Sequence, residues 1–240
     1  MQSNLVRVYG TRVERLVVLC EHAGNRLPEW CELSPADAQW LDTHWGYDIG
    51  AANVARSLAS AMNTTAVCAE FSRLVCDPNR PVESESWIRR TVEDDEPVRF
   101  NANVLPEDRR RREALWRSYH ERVDQVLSRS NNTVDLVFSV HSMTSRYNGA
   151  LREMELAVLY SDDGVRAKAM ADSLKRSGFT LALNEPYSGF DGLIYSAERH
   201  GRAHGIPYLE VEVRNDLLTD DSRAEQIAVA IEEALLCVLE

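Results

Sequence analysis

No stretch of this chain approaches the ~20 consecutive apolar residues that a membrane-spanning helix requires. Its first residues, Met1-Gln2-Ser3-Asn4-Leu5-Val6-Arg7-Val8-Tyr9, lack the apolar core of a secretory signal. Cysteine is scarce: five residues, at 20, 31, 68, 76 and 237, odd in number and without a C-x-x-C pair. That excludes a disulfide framework and reads as reduced, mostly buried thiols, so the expectation is a soluble cytoplasmic protein. Positive charge is in deficit, with 27 Lys and Arg against 38 Asp and Glu and a formal net charge of −11. The deficit argues against nonspecific nucleic-acid binding and against anionic membrane surfaces. It leaves room for a small anionic substrate, since a local arginine cluster outweighs a global charge. There is no G-x-S-x-G elbow, which argues against a serine hydrolase. No internal repeat or linker divides the sequence, so one domain over residues 1–240 is expected; the oligomeric state is not legible.

The residues present describe an ordinary globular chain, 44% hydrophobic and 27% charged over 240 residues, long enough for one large α/β domain. Leu16 to Cys20 reads as a buried strand that runs into Glu21-His22-Ala23-Gly24-Asn25. Val134 to Val140 repeats the arrangement and runs into His141-Ser142-Met143-Thr144. Polar clusters at the carboxyl ends of buried strands are where open α/β sheets bind ligands. Two such strands, each ending in a histidine, point to one shared metal site built from distant parts of the chain.

Between them, Ser34-Pro35-Ala36-Asp37 is a capped helix start running to about Leu41, Ile49 to Met62 has the spacing of a core-facing helix, and Thr64 to Glu70 reads as a strand. Pro78 and Pro81 break it. Val82 to Pro106, with Glu93-Asp94-Asp95-Glu96 at its centre, reads as a long loop or lid. Glu107 to Arg129 is an amphipathic helix with Leu115, Tyr119, Val123 and Val126 on one face, and its Arg109–Arg112 run reads as a solvated face. A strand (Glu155–Tyr160), a helix (Gly164–Arg176), a strand (Phe179–Leu183), a glycine-rich loop (Asn184–Gly192), a strand (Tyr208–Arg214) and a helix (Asp221–Leu239) complete the chain. Strands alternating with helices predict a three-layer α/β fold, a mostly parallel twisted sheet with helices on both faces.

A metal hydrolase needs imidazole or carboxylate ligands and a nearby carboxylate to take a proton from water. His22 and His141 are the ligand candidates, and Glu21, Asn25 or Asp48 the third. Asp48, just before a predicted helix, is equally readable as an N-cap. Glu210 and Glu212 share one face of a strand, where isolated buried charge is costly, so one of them reads as a general base. Arg73, Arg80 and Arg214 have the planar fork suited to a substrate carboxylate.

The motifs together resemble the zinc carboxypeptidase and aspartoacylase superfamily, and most of all the N-formylglutamate amidohydrolase family. The resemblance rests on Glu21-His22-Ala23-Gly24-Asn25, Tyr47-Asp48, Arg73-Leu74-Val75-Cys76-Asp77-Pro78-Asn79-Arg80, His141-Ser142-Met143-Thr144, Asn184-Glu185-Pro186-Tyr187-Ser188-Gly189 and Glu212-Val213-Arg214-Asn215. It runs from about residue 15 to 215 and is carried by the joint order of the motifs. It implies a phosphorylase/hydrolase-like α/β fold and a zinc (Zn2+) amidohydrolase acting on a small anionic N-acyl amino acid. It further implies His22 and His141 on the metal, Glu212 as general base, and Asn79 and Arg80 at the substrate, Arg80 also serving catalysis. Ser142 and Asn184 fall in matching motifs and are expected at the substrate too. One position departs: Asn25 stands where carboxypeptidases carry a metal-binding glutamate, which leaves Asp48 or Glu21 to complete the site. The same departure supports a rival reading, a non-catalytic anion-binding protein that kept the fold and lost the metal.

Overall fold

Uninterrupted aliphatic runs make the central strands, because a strand covered on both faces has no polar side to present. The computed structural model describes residues 5–92, 95–130, 133–147 and 149–240. Seven strands form the main sheet: β1 (Val6–Tyr9), β2 (Arg15–Cys20), β3 (Thr65–Ala69), β4 (Val134–Met143), β7 (Leu156–Leu159), β8 (Leu181–Leu183) and β9 (Tyr208–Arg214), in the order β1-β3-β2-β4-β9-β7-β8. A separate two-stranded hairpin, β5 (Arg146–Tyr147) and β6 (Ala150–Leu151), follows β4. The helices are α1 (Pro35–Ala38), α2 (Ala51–Ala61), α3 (Pro106–Ser128), α4 (Gly164–Arg176), α5 (Tyr195–His204) and α6 (Asp221–Leu239).

Alternate residues of each strand feed two cores. Leu16, Val18, Phe138, Val140, Leu209 and Val211 pack against α2, α4 and α6. Val17, Leu19, Val137, Ala157 and Leu159 pack against α3 and the start of α5. This is the expected three-layer α/β arrangement, with a sheet more mixed than an all-parallel one. β2, β3, β4 and β9 run parallel where they pair, whereas β1 pairs antiparallel with β3 and β7 antiparallel with β9. The reversal at β7 has a local cause. A parallel return usually runs through a helix that carries the chain back to the starting end of the sheet. Only the β5–β6 hairpin separates β4 from β7, so the chain comes back pointing the other way and β9 fills the space between them.

Three expectations shift at this level. The helix begun by Ser34, whose hydroxyl accepts from the Asp37 N–H, ends at Ala38 and continues as turns. The stretch from 82 to 106 is no detached lid: Trp87, Ile88, Val92, Val98 and Asn101 are buried, and Asn101 Nδ2 donates to Leu74 O and Arg89 O. Glu93 and Asp94 of its acidic run lie outside the described residues. On α3, Arg109, Arg110 and Arg111 pair with Glu113, Glu107 and Asp108 of their own helix, as a solvated face does. Arg112 does not. Three residues before Leu115, it faces inward, is 3% exposed, and donates to Val75 O and to Asn101 Oδ1 at 2.7 Å. Arg112→Ala leaves two buried acceptors unpaired, and is expected to destabilise the protein by about 2–3 kcal/mol, read from the shift in urea midpoint at unchanged m.

Candidate active site

The strand register assembles the site. On β4, Ser139 and His141 face the α3/α5 side, and the parallel register sets Ser139 opposite Glu210 and His141 opposite Glu212. Glu21, one residue past β2, follows the same alternation and projects to that side. His22 lies a residue further on, at the sheet's carboxyl edge. Gly24 lets the following loop close on β3, since a Cβ there would stand 2.6 Å from Glu70 O. The loop before α2 is stitched down at the same edge: Asp48 N–H donates to His22 O at 3.0 Å and Arg73 N–H to Gly46 O at 3.0 Å.

The result is a tight, buried cluster. His22 Nδ1 stands 3.1 Å from His141 Nδ1 and 3.3 Å from Asp48 Oδ2, and His141 Nδ1 stands 2.8 Å from the same oxygen. The far nitrogen of each ring meets a carboxylate, His22 Nε2 at 2.7 Å from Asp77 Oδ1 and His141 Nε2 at 3.0 Å from Glu21 Oε2. Protons assigned to the two Nε2 atoms leave both Nδ1 lone pairs pointing at each other and at a carboxylate oxygen. Three lone-pair donors converging in this way form a donor set that could hold a cation. Their separations also resemble the ~3.3 Å edge of a tetrahedron with 2.0–2.1 Å ligand bonds.

Charge agrees with geometry. Burial alone would raise Glu21, but the hydrogen bond and charge of His141 outweigh it and hold the carboxyl near 2. Asp48 and Asp77, against burial, are held low chiefly by His22, with Arg73 also acting on Asp77. Burial opposes a charge on His141, yet Glu210, Asp48 and Glu21 overcome it and raise that imidazole well above its ordinary value. The same acids favour a divalent cation between the rings. Beside the cluster, burial pushes Glu210 up to about 8 and Glu212 up to about 7. One oxygen of each glutamate, Oε2, is buried without a hydrogen-bond partner. Glu210 Oε2 lies 3.5 Å from His141 Nε2, behind the ring, and is the more deeply buried of the pair, 2% against 8% exposed.

A cavity of about 630 Å³ opens onto this cluster and is lined by His22, Asp48, Glu210 and Glu212, and by Arg73, Arg80 and Arg89. The structure places the sequence candidates unequally. Of the three possible third ligands, Asp48 joins the histidines. Its side chain does not cap α2, whose N-cap is Gly50. Glu21 lies behind His141, and Asn25 turns away to Leu41 O and Asp42. Arg73 lines the cavity but is spent bridging Asp48 Oδ1 and Asp77 Oδ2, both at 3.2 Å. Arg80 lines it with Nη1 on Asn79 O and Leu193 O. Asn79 is used within the protein: Nδ2 donates to Leu193 O and Oδ1 accepts from the Ser196 N–H. Ser142 is used likewise, its N–H on Asp48 Oδ2 and its hydroxyl on Ile49 O.

Two expected substrate residues lie outside the cavity lining. Arg214 sits at the end of β9 with Nε on Asp216 and Nη1 on Arg152 O, because the strand passes beyond the cavity before the side chain emerges. Asn184 takes a left-handed backbone (φ 52°) and pins its own loop, Oδ1 accepting from Tyr160 N–H and Gly189 N–H. Sequence reasoning gave no role to Asp77, which directly precedes the strand-breaking Pro78 and was quoted only within the matching Arg73–Arg80 motif. It also missed Arg89, His44, Trp45, Tyr147 and Tyr187 in the cavity wall.

This fold extends beyond the present chain. It superposes on a gene product of Agrobacterium tumefaciens with a TM-score of 0.89 at 30% identity, covering 99% of this chain and 96% of that one. It superposes on an N-formylglutamate amidohydrolase from Ralstonia eutropha with a TM-score of 0.70 at 16% identity, covering 97% and 96%. Comparison with curated proteins gives no match. The sequence profile of N-formylglutamate amidohydrolase matches residues 14–219. The protein is thus a hydrolase of the class that acts on amide bonds, built on a mixed-sheet α/β fold. Within that class, the chain belongs to the N-formylglutamate amidohydrolase family.

Proposed function

We propose that this protein is a zinc-dependent amidohydrolase that cleaves a small anionic N-acyl amino acid, N-formylglutamate first among the candidates, to an amine and a carboxylate. The observation that carries the reading is the convergence of His22 Nδ1, His141 Nδ1 and Asp48 Oδ2 on one point. Those three would hold the zinc, which when bound polarises the scissile carbonyl and acidifies an attacking water. Asp77 and Glu21 keep the two rings turned with Nδ1 toward the metal, as carboxylates behind metal-binding histidines do. Glu212, with a free oxygen at the cavity wall, takes a proton from the attacking water and hands it to the leaving nitrogen, so that the base is restored each turnover. Arg80 orients the substrate carboxylate, and Arg73 neutralises Asp48 and Asp77 so that the acids coexist in a buried site.

The rival reading, an anion-binding protein without metal, drew its support from Asn25, which lies apart from the cluster. Metal analysis after reconstitution separates the two. Near-stoichiometric zinc, with N-formylglutamate hydrolysis lost on chelation and restored by zinc, is expected. Absence of bound metal after careful reconstitution refutes the enzyme reading.

A further inference from the structure

On α3 the residues Trp116, His120 and Asp124 recur every four positions and so share one helix face. They stand against a matching stripe of α5, Ser196, His200 and His204. The contacts between the stripes are polar and specific. His120 Nδ1 meets His200 Nε2 at 2.9 Å, and His200 Nδ1 meets Asp124 Oδ1 at 2.8 Å. Both imidazoles are buried, and neither belongs to the metal cluster. What they hold is the half-buried indole of Trp116. The His120 ring lies 4.0 Å from it between centroids, the Tyr195 ring 6.4 Å, and the Arg199 guanidinium carbon 5.6 Å from its centroid.

The polar edge of that indole reaches the loop that carries Arg80. Trp116 Nε1 donates to Arg80 O at 2.9 Å. The loop has few other backbone bonds to fix it, because Pro78 and Pro81 bring no N–H. Asp77 N–H donates to Trp87 O at 2.8 Å, Asn79 N–H to Asp77 Oδ1 at 2.8 Å, and Arg80 N–H to Asp77 O at 3.2 Å. The Asn79 side chain ties the loop to the start of α5 through Leu193 O and the Ser196 N–H. None of these bonds involves the Arg80 carbonyl, and among the described residues its hydrogen bond comes from Trp116 alone. A fixed carbonyl sets the peptide plane after Arg80. With the N–H also held, the Cα–Cβ direction is set, and with it the path of the guanidinium into the cavity.

We propose that Trp116 is a positioning residue, whose indole N–H, braced by the α3–α5 stripes, aims Arg80 at the substrate. Trp116 does not line the cavity, whereas Arg80 does, so the indole acts through the arginine and not on the substrate. The inference rests on the amidohydrolase reading, in which Arg80 orients the substrate carboxylate, and adds the group that directs it. It also gives the buried histidine pair a task, since those rings clasp the indole from the side of α3 away from the apolar core.

The test is Trp116→Phe, which keeps an aromatic ring on the stripe and loses the N–H. With N-formylglutamate as substrate, KM is expected to rise about 3- to 10-fold, the worth of one hydrogen bond, with kcat held within about 2-fold. A tryptophan that served packing alone would instead lower the folded fraction, and so the apparent kcat, while leaving KM in place. In an Arg80→Met background the same substitution should alter kcat/KM by less than about 2-fold, because the group it aims is gone. Amide hydrogen exchange at Asn79 and Arg80 is a readout that needs no substrate, and it should quicken about 3- to 10-fold in Trp116→Phe. Should that variant fail to fold, replacing the indole by benzothiophene keeps both rings, removes the N–H and carries the same comparisons. A wild type that does not hydrolyse N-formylglutamate sinks the amidohydrolase reading for that substrate, and quickened exchange then still supports the hold of Trp116 on the loop. Unchanged exchange, an unchanged KM in an active enzyme, or a full KM rise in the Arg80→Met background each overturns the inference.

Discussion

Glu212→Gln is expected to retain zinc and bind substrate while losing on the order of 10²- to 10⁴-fold in kcat, the usual consequence of removing a general acid–base. Glutamine keeps the shape and a hydrogen-bonding oxygen but cannot carry the proton from water to the leaving nitrogen. Glu210→Gln is expected to remain active. The two glutamates lie on the same strand face, roughly two residues or ~7 Å apart. Glu210 is opposite Ser139 and sits behind His141, close to its Nε2, whereas Glu212 is opposite His141 itself and nearer the cavity mouth. Burial already pushes Glu210 up to about 8, so a neutral amide in its place alters the charge of the site little near neutral pH. Turnover and zinc content of both variants decide the matter, and an inactive, zinc-loaded Glu210→Gln beside an active Glu212→Gln reverses the assignment.

His22→Ala and His141→Ala should each abolish zinc retention with far-UV circular dichroism close to native. Each ring closes the cluster from the carboxyl edge of the sheet, and neither side chain belongs to the two apolar cores, so its loss removes a metal ligand without unpacking a strand. Asp77→Asn probes the ring orientation: it keeps an oxygen near His22 Nε2 but loses the charge, and should weaken zinc about 10- to 100-fold without abolishing it. Zinc occupancy is read by atomic absorption after dialysis against a chelator series. Full occupancy in either histidine variant removes that residue from the site.

Much of the architecture could be read directly. Gly164–Arg176 and Tyr208–Arg214 match the predicted helix and strand end to end, and Asp221–Leu239 closes the chain as expected. These segments have strong periodicity and clear caps, so local preference and tertiary packing agree. α5 was not legible. Tyr195–His204 carries few apolar residues and a mid-helix glycine that reads as a break. Gly201 is there for close approach, since a Cβ would stand 2.4 Å from the Tyr208 ring.

By itself the sequence determined that two buried strands end in histidine, that two acids share one face of a third, and that the segments alternate as an α/β chain. Those properties follow from periods of two and 3.6 residues and from runs of side chains that cannot face water. Only the tertiary structure decided which of Asp48, Glu21 and Asn25 meets the histidines. It also turned β7 against β9, drew Arg112 inward, and sent Arg214 and Asn184 away from the cavity. The physical reason is common to all of these. Register and crossover length set where a strand's carboxyl end stops, and a long polar side chain goes wherever the nearest unpaired partner then happens to stand. That distance runs through space, across as many as 119 residues between His22 and His141, and no local pattern encodes it.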